Sequence, residues 1–121
     1  MQLNMKWAND NFGVPMYISV SKFGIALNQA SIRALNSPAE VLIGYDENQK
    51  VLGILPVDTK IPEGAKPYPL CSTSERHKKP WIRIGCKGFV RYLEEKLETD
   101  FKDTQRRKAN MENGILFIKF D

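Results

Sequence analysis

The chain has 121 residues, 42% of them hydrophobic and 26% charged, with a formal net charge of +4. This is the size and balance of one globular domain that can build a core without disulfide or metal staples, which excludes a disordered chain. No apolar run approaches the ~18–20 residues of a membrane span, residues 1–10 lack the pattern of a secretory signal, and two cysteines make no disulfide scaffold, so the expectation is a cytoplasmic protein.

In chain order, Trp7 and Phe12 stand as apolar anchors in a turn-rich opening. Met16 to Ser21 alternates, with Met16, Ile18 and Val20 on one face, and predicts a half-buried strand. Asn28 predicts the N-cap of a short helix running through Leu35. Asn36-Ser37-Pro38 ends it, because the residue before a proline is pushed out of the helical region. Val41-Leu42-Ile43 and Val51 to Val57 predict two strands joined at Asp46-Glu47-Asn48-Gln49 as a hairpin.

From Asp58 to Pro80 the prolines at 62, 67, 69 and 80 and Gly64 predict a linker or a long functional loop. Trp81, Ile82 and Ile84 then open a strand. Gly88 precedes a helix with Phe89, Val90, Leu93 and Leu97 at helical spacing, and Arg91 can pair with Glu95. Asp103 to Ala109 reads as a strand, and Asn113-Gly114 as a hairpin turn leading into the closing strand, Ile115 to Phe120.

The two halves share this order. An ungapped shift of 64 residues places Ile18 on Ile82, Val20 on Ile84, Gly24 on Gly88, Ile25 on Phe89, Leu52 on Leu116 and Ile54 on Ile118. The expected fold is therefore mainly β with two short helices (α+β), built as two β-α-β-β pseudo-repeats sharing one core. Residues 1–121 form a single domain, with repeats at 16–58 and 81–121 and the proline-rich segment 59–80 between them. About 40 residues have too little surface to bury, so neither half would stand alone.

The run Ile18-Ser19-Val20-Ser21-Lys22-Phe23-Gly24-Ile25-Ala26-Leu27, then Ile32-Arg33-Ala34-Leu35, then Val41 and a hairpin ending Ile54-Leu55-Pro56, resembles the AbrB/MazE-like swapped-hairpin domain. Residues 81–121 carry a fainter version, so the whole resembles a fused pseudo-dimer. The resemblance implies a bacterial transcription regulator or antitoxin that binds DNA across its two-fold axis, as a monomeric pseudo-dimer or a homodimer. Where the family places a basic residue after the glycine, this chain has Ile25 and Phe89.

The charge excess sits in the second half. Residues 1–60 carry five Lys/Arg against five Asp/Glu, and residues 61–121 thirteen against nine. Lys22, Arg33, Arg76, Lys78, Lys79, Arg83, Lys87 and Arg91 are the candidate phosphate contacts, because cations beside a polyanion release its condensed counterions. A second basic knot follows at Arg106, Arg107 and Lys108. Trp81, next to Lys78, Lys79 and Arg83, reads either as a stacking residue in a basic groove or as core filling. The alternative function is a protein-binding regulator or inhibitor that uses the proline-rich loop on a host protein.

Catalytic and metal chemistry find little footing. Cys71, His77 and Cys86 lack the number and spacing of a zinc site, and no phosphate-binding loop, nucleophile elbow or metalloprotease motif occurs, so the reading is non-enzymatic and without a cofactor. Cys86, ahead of a predicted helix and beside Lys87, reads as a reactive thiol or as a small buried residue. Glu94, Glu95 and Glu98 read as the solvated side of a charged helix.

Overall fold

The computed structural model describes residues 2–5, 7–8, 14–58, 61–70 and 80–120. The alternating run before Lys22 folds as β1 (Tyr17–Ser21), and the chain turns through Lys22 and Phe23 into β2 (Gly24–Asn28). Asn28 then caps α1 (Gln29–Ala34): its Oδ1 accepts from Ser31 N–H at 3.1 Å and from Tyr17 N–H at 3.0 Å, while its amide donates to Pro15 O at 2.9 Å. One side chain thus fixes the helix start to the open end of the β1–β2 hairpin. The chain leaves α1 through Asn36 and Ser37 in the left-handed region, ahead of Pro38.

β3 (Glu40–Asp46) and β4 (Val51–Pro56) pair as the expected hairpin. The Asp46 carboxylate closes its loop by accepting from the Asn48 and Gln49 backbone N–H groups, which holds its pKa below the ordinary carboxylate value, Gln49 contributing most. The proline-rich segment is pinned at one place, where β5 (Tyr68–Pro69) adds to the edge of β3 and Leu70 is buried. β6 (Trp81–Gly85), α2 (Lys87–Leu97), β7 (Gln105–Lys108), β8 (Asn110–Glu112) and β9 (Ile115–Lys119) follow.

Among the described residues the strands form two antiparallel sheets. Sheet A has the order β6-β2-β1-β7 and sheet B the order β5-β3-β4-β9-β8. Alternation sends Ile18, Val20, Ile25, Leu27, Ile82 and Ile84 of sheet A inward, towards Val41, Leu52, Ile54, Leu116 and Ile118 of sheet B. Ile32 and Leu35 of α1, Val90 and Leu93 of α2, and Phe101 complete one cluster of buried side chains. The run from β7 into β8 crosses between the sheets at Ala109, which is buried and donates its N–H to Met16 O at 2.8 Å.

The mainly β, α+β architecture with two helices matches the expectation, but the order within each half is corrected. Residues 16–58 run β-β-α-β-β, because Ile25 and Leu27 alternate and pair with both β1 and β6, making a strand of what reads as the end of a glycine turn. Residues 81–121 run β-α-β-β-β, because the predicted strand at 103–109 ends in sheet A and the arm that pairs across Asn113-Gly114 is a separate strand in sheet B. The 64-residue shift lays β1 on β6 and β4 on β9, yet it lays β2 on the first half of α2. Between β4 and β9 the register is symmetric under that shift, with Leu52 opposite Ile118 and Ile54 opposite Leu116.

α2 is held to the β3–β4 loop. Lys96 Nζ lies 3.2 Å from Glu47 Oε1, to which Tyr92 also donates at 3.0 Å, and Tyr45 and Tyr92 meet edge to face at 6.1 Å. Among the described residues this is the ion pair the helix makes, and the expected Arg91–Glu95 contact does not form. Glu94 is not simply solvated, since its carboxylate accepts from Phe101 N–H at 2.8 Å where the chain leaves the helix.

Two outcomes follow for stability. Gly24 has φ +152°, and a Cβ there would collide with the Ile84 carbonyl oxygen, so Gly24→Ala should lower the unfolding free energy by roughly 3 kcal/mol in urea denaturation. Gly85→Ala, opposite it in the register and with nothing near a new Cβ, should change it by no more than about 0.5 kcal/mol. Hydrogen bonding to Lys96 and Tyr92 holds the Glu47 carboxyl below its usual range, so its contribution is present above the unfolded pKa and lost as pH falls through the lower folded value. Glu47→Gln should therefore flatten the acid side of the melting-temperature profile between about pH 3 and 6, with little change of shape between about pH 6 and 9, where neither Glu47 nor Lys96 titrates.

Candidate functional site

The inward face of sheet A is apolar, and its outward face is polar, small and basic. Strand register arranges that outer face in rows. The middle row runs Arg83, Ala26, Ser19, Arg106 across β6, β2, β1 and β7. Two arginines on the edge strands, with Cα atoms about 14 Å apart at the usual strand spacing, thus flank an alanine and a serine. To one side Trp81 pairs with Asn28 and Tyr17 with Lys108; to the other lie Gly85, Gly24 and Ser21.

Short side chains on the two central strands leave a groove of about 580 Å³, lined by Ser19, Ser21, Gly24, Ala26, Trp81, Ile82, Arg83, Thr104 and Arg106. No carboxylate is among them. Arg106 reaches across β1 and β2 until its guanidinium carbon stands 4.8 Å from the centre of the Trp81 ring. That cation–π contact roofs the floor and explains why Ser19 is buried on a face that otherwise looks outward. Trp81 therefore lines the groove and does not fill the core.

A second aromatic sits at the other end of β2. Phe23, in the turn before Gly24, is 58% exposed, and the Arg83 guanidinium and the Lys87 ammonium each stand 5.8 Å from its ring centre. Lys22 beside it makes an exposed ion pair with Asp100 at 3.1 Å, which holds the Asp100 carboxyl below its usual range.

The sequence-derived cations thus divide. Lys22, Arg83 and Lys87 gather around Phe23 at the β1–β2 turn. Arg91 is exposed one turn further along α2, and Arg33 is exposed on α1, past the opposite end of β2. Arg76, Lys78 and Lys79 lie outside the described residues, as do Cys71 and His77. Arg106 and Lys108 of the second basic knot belong to the outer face, although the eight candidate contacts do not include them. The signal for them was present in strand parity: alternation puts them on one face and sends Arg107 inward, where its guanidinium lies 5.2 Å from the Phe120 ring centre and donates to Lys119 O.

Sheet B has a different outer face. The facing glycines Gly44 and Gly53 leave a trough of about 870 Å³, bordered by Leu42, Leu55, Ile115 and Phe117 and by Pro62 and Ala65 of the proline-rich segment. Leu55 and Ile115 are 37% and 39% exposed there.

Cys86 caps α2 from a buried position, and burial pushes its thiol pKa up, partly offset by the Ile25 backbone hydrogen bond. Since the thiolate is the reactive form, both shielding and pKa disfavour attack, and this is the small buried residue of the two readings. A disulfide reagent should label Cys86 in a Cys71→Ala background only after denaturant is added; labelling of the folded protein at the rate of a free thiol would refute this.

Comparisons of the chain with protein-family models, with curated proteins and with solved structures found no match.

Proposed function

We propose that the protein binds nucleic acid through the outer face of sheet A. The observation that carries this reading is the groove itself: a floor of Ser19, Ser21, Gly24 and Ala26 between Arg83 and Arg106, with Trp81 in the wall and no carboxylate in the lining among the described residues. Guanidinium groups suit phosphate because their donors form a planar fork, and the basic flank continues to Lys87 at one end and Lys108 at the other. A solvated face designed only for solubility would mix both signs of charge.

The AbrB/MazE-like reading gains partial support from the first half. There β1, α1 and the β3–β4 hairpin succeed one another, with the strand β2 where the family has its glycine turn. The symmetric β4–β9 register supports a two-module origin of the chain. A DNA-binding regulator is the form of the proposal that both observations favour.

The protein-binding alternative draws on the other sheet, where the proline-rich segment and the apolar trough meet. It is the reading left standing if polyanions do not bind.

Electrophoretic mobility shift with generic DNA should show complexes at low salt that dissociate steeply as salt rises. Arg83→Ala with Arg106→Ala should weaken binding by roughly tenfold or more and reduce the salt slope by about two, since two phosphate contacts are lost. Absence of any complex at low salt would overturn the reading.

A further inference from the structure

Resting on that reading, we infer that the strand bound in the groove is single-stranded, with unpaired bases stacking on Trp81 and Phe23 while arginines hold the backbone between them. Three observations carry this. The first is the attitude of Trp81. The Arg106 guanidinium carbon stands over its ring, 4.8 Å from the centre, so the indole turns a face to the groove. A nucleobase stacks on such a face whatever its sequence, and a paired base has no face to give.

The second is Phe23. Its phenyl ring is exposed, stands outside the core cluster and has two cations at 5.8 Å. It precedes Gly24, whereas Trp81 pairs with Asn28, so the two aromatics stand five residues apart along the chain into β2, or about 16 Å at the strand rise. Arg83 lies between them on the neighbouring strand. The spacing is that of two stacking platforms on one track with a phosphate ligand between.

The third is shape. Duplex DNA is read by an element narrow enough to enter a groove, a helix or a two-stranded ribbon. The outer face of sheet A is four strands wide, with its arginines rooted on the edge strands, Arg106 lying across it to Trp81, and its small residues in the middle. A rigid duplex would touch these arginines alone. A flexible single strand can follow the groove past Trp81 and Arg83, where Ser21 and Ala26 add little bulk.

The test uses the full chain with Trp7→Phe, which removes the exposed Trp7 and makes Trp81 the sole indole. Oligothymidylate, a duplex of equal length and thymidine monophosphate are titrated at low salt, following Trp81 fluorescence and, for labelled probes, anisotropy. The expected result is tight binding of oligothymidylate with quenching of Trp81, weaker binding of the duplex without quenching, and much weaker binding of the mononucleotide. Trp81→Ala should lose roughly tenfold in oligothymidylate affinity, and Trp81→Phe should restore most of it. Duplex binding as tight as single-strand binding, or binding without quenching, would overturn the inference and leave nucleic-acid binding standing. Mononucleotide binding as tight as the oligomer would overturn it in favour of a small anionic ligand. No binding of any probe would overturn the underlying reading too.

Discussion

The close approach of β2 to β6 at Gly24 is the constraint on which both faces of sheet A depend. A side chain there would drive into the Ile84 carbonyl, so the strand pair closes only around a glycine. On the inner face this closure brings Ile25 opposite Ile84 and Leu27 opposite Ile82, four residues that are almost completely buried. On the outer face it leaves Gly24 and Gly85 without bulk, which opens one end of the groove. A single steric requirement therefore serves the core and the candidate site together.

Asn28 fixes the opposite end. Ser31, fully buried, places its hydroxyl 2.8 Å from Asn28 Oδ1 and 3.0 Å from Tyr17 O, so the helix start and both strands of the hairpin end are joined through two short polar side chains. Such a buried network is favourable because its members satisfy one another. It also sets the register that decides where Trp81 stands, since Asn28 is the residue opposite it. Between Gly24 and Asn28, β2 is held at both ends, and the row Arg83, Ala26, Ser19, Arg106 crosses its middle.

Much of this was legible in the sequence. Alternation located β1, apolar runs between turn signals located β3, β4, β6 and β9, Asn28 marked the start of α1, and Asn113-Gly114, both with positive φ, formed the turn expected of that pair. What stayed hidden depended on partners distant in the chain. β2 is five residues with only Ile25 and Leu27 as apolar signal, and its strand character comes from pairing on both sides. Parity within a strand separates two faces without saying which is inside, so Trp81 could be read as core or as groove until Ile82 and Ile84 were seen to take the interior. The cations 106 to 108 read as one knot, whereas their register against β1 sends the first and last outward and the middle one through to Phe120.

β6 and β7 are the outermost strands of sheet A among the described residues, and each leaves one line of backbone groups without a neighbour in the sheet. Such lines invite any extended chain to join, and lysine and arginine on them repel an identical copy. Arg106, Arg107 and Lys108 give β7 this guard, and Arg83 gives a thinner one to β6. The charges that discourage fibril-like growth are thus the charges available to a polyanion. Neutralising them by ligand or by substitution lowers the barrier to self-templating, so occupancy of the face and resistance to aggregation draw on the same few side chains.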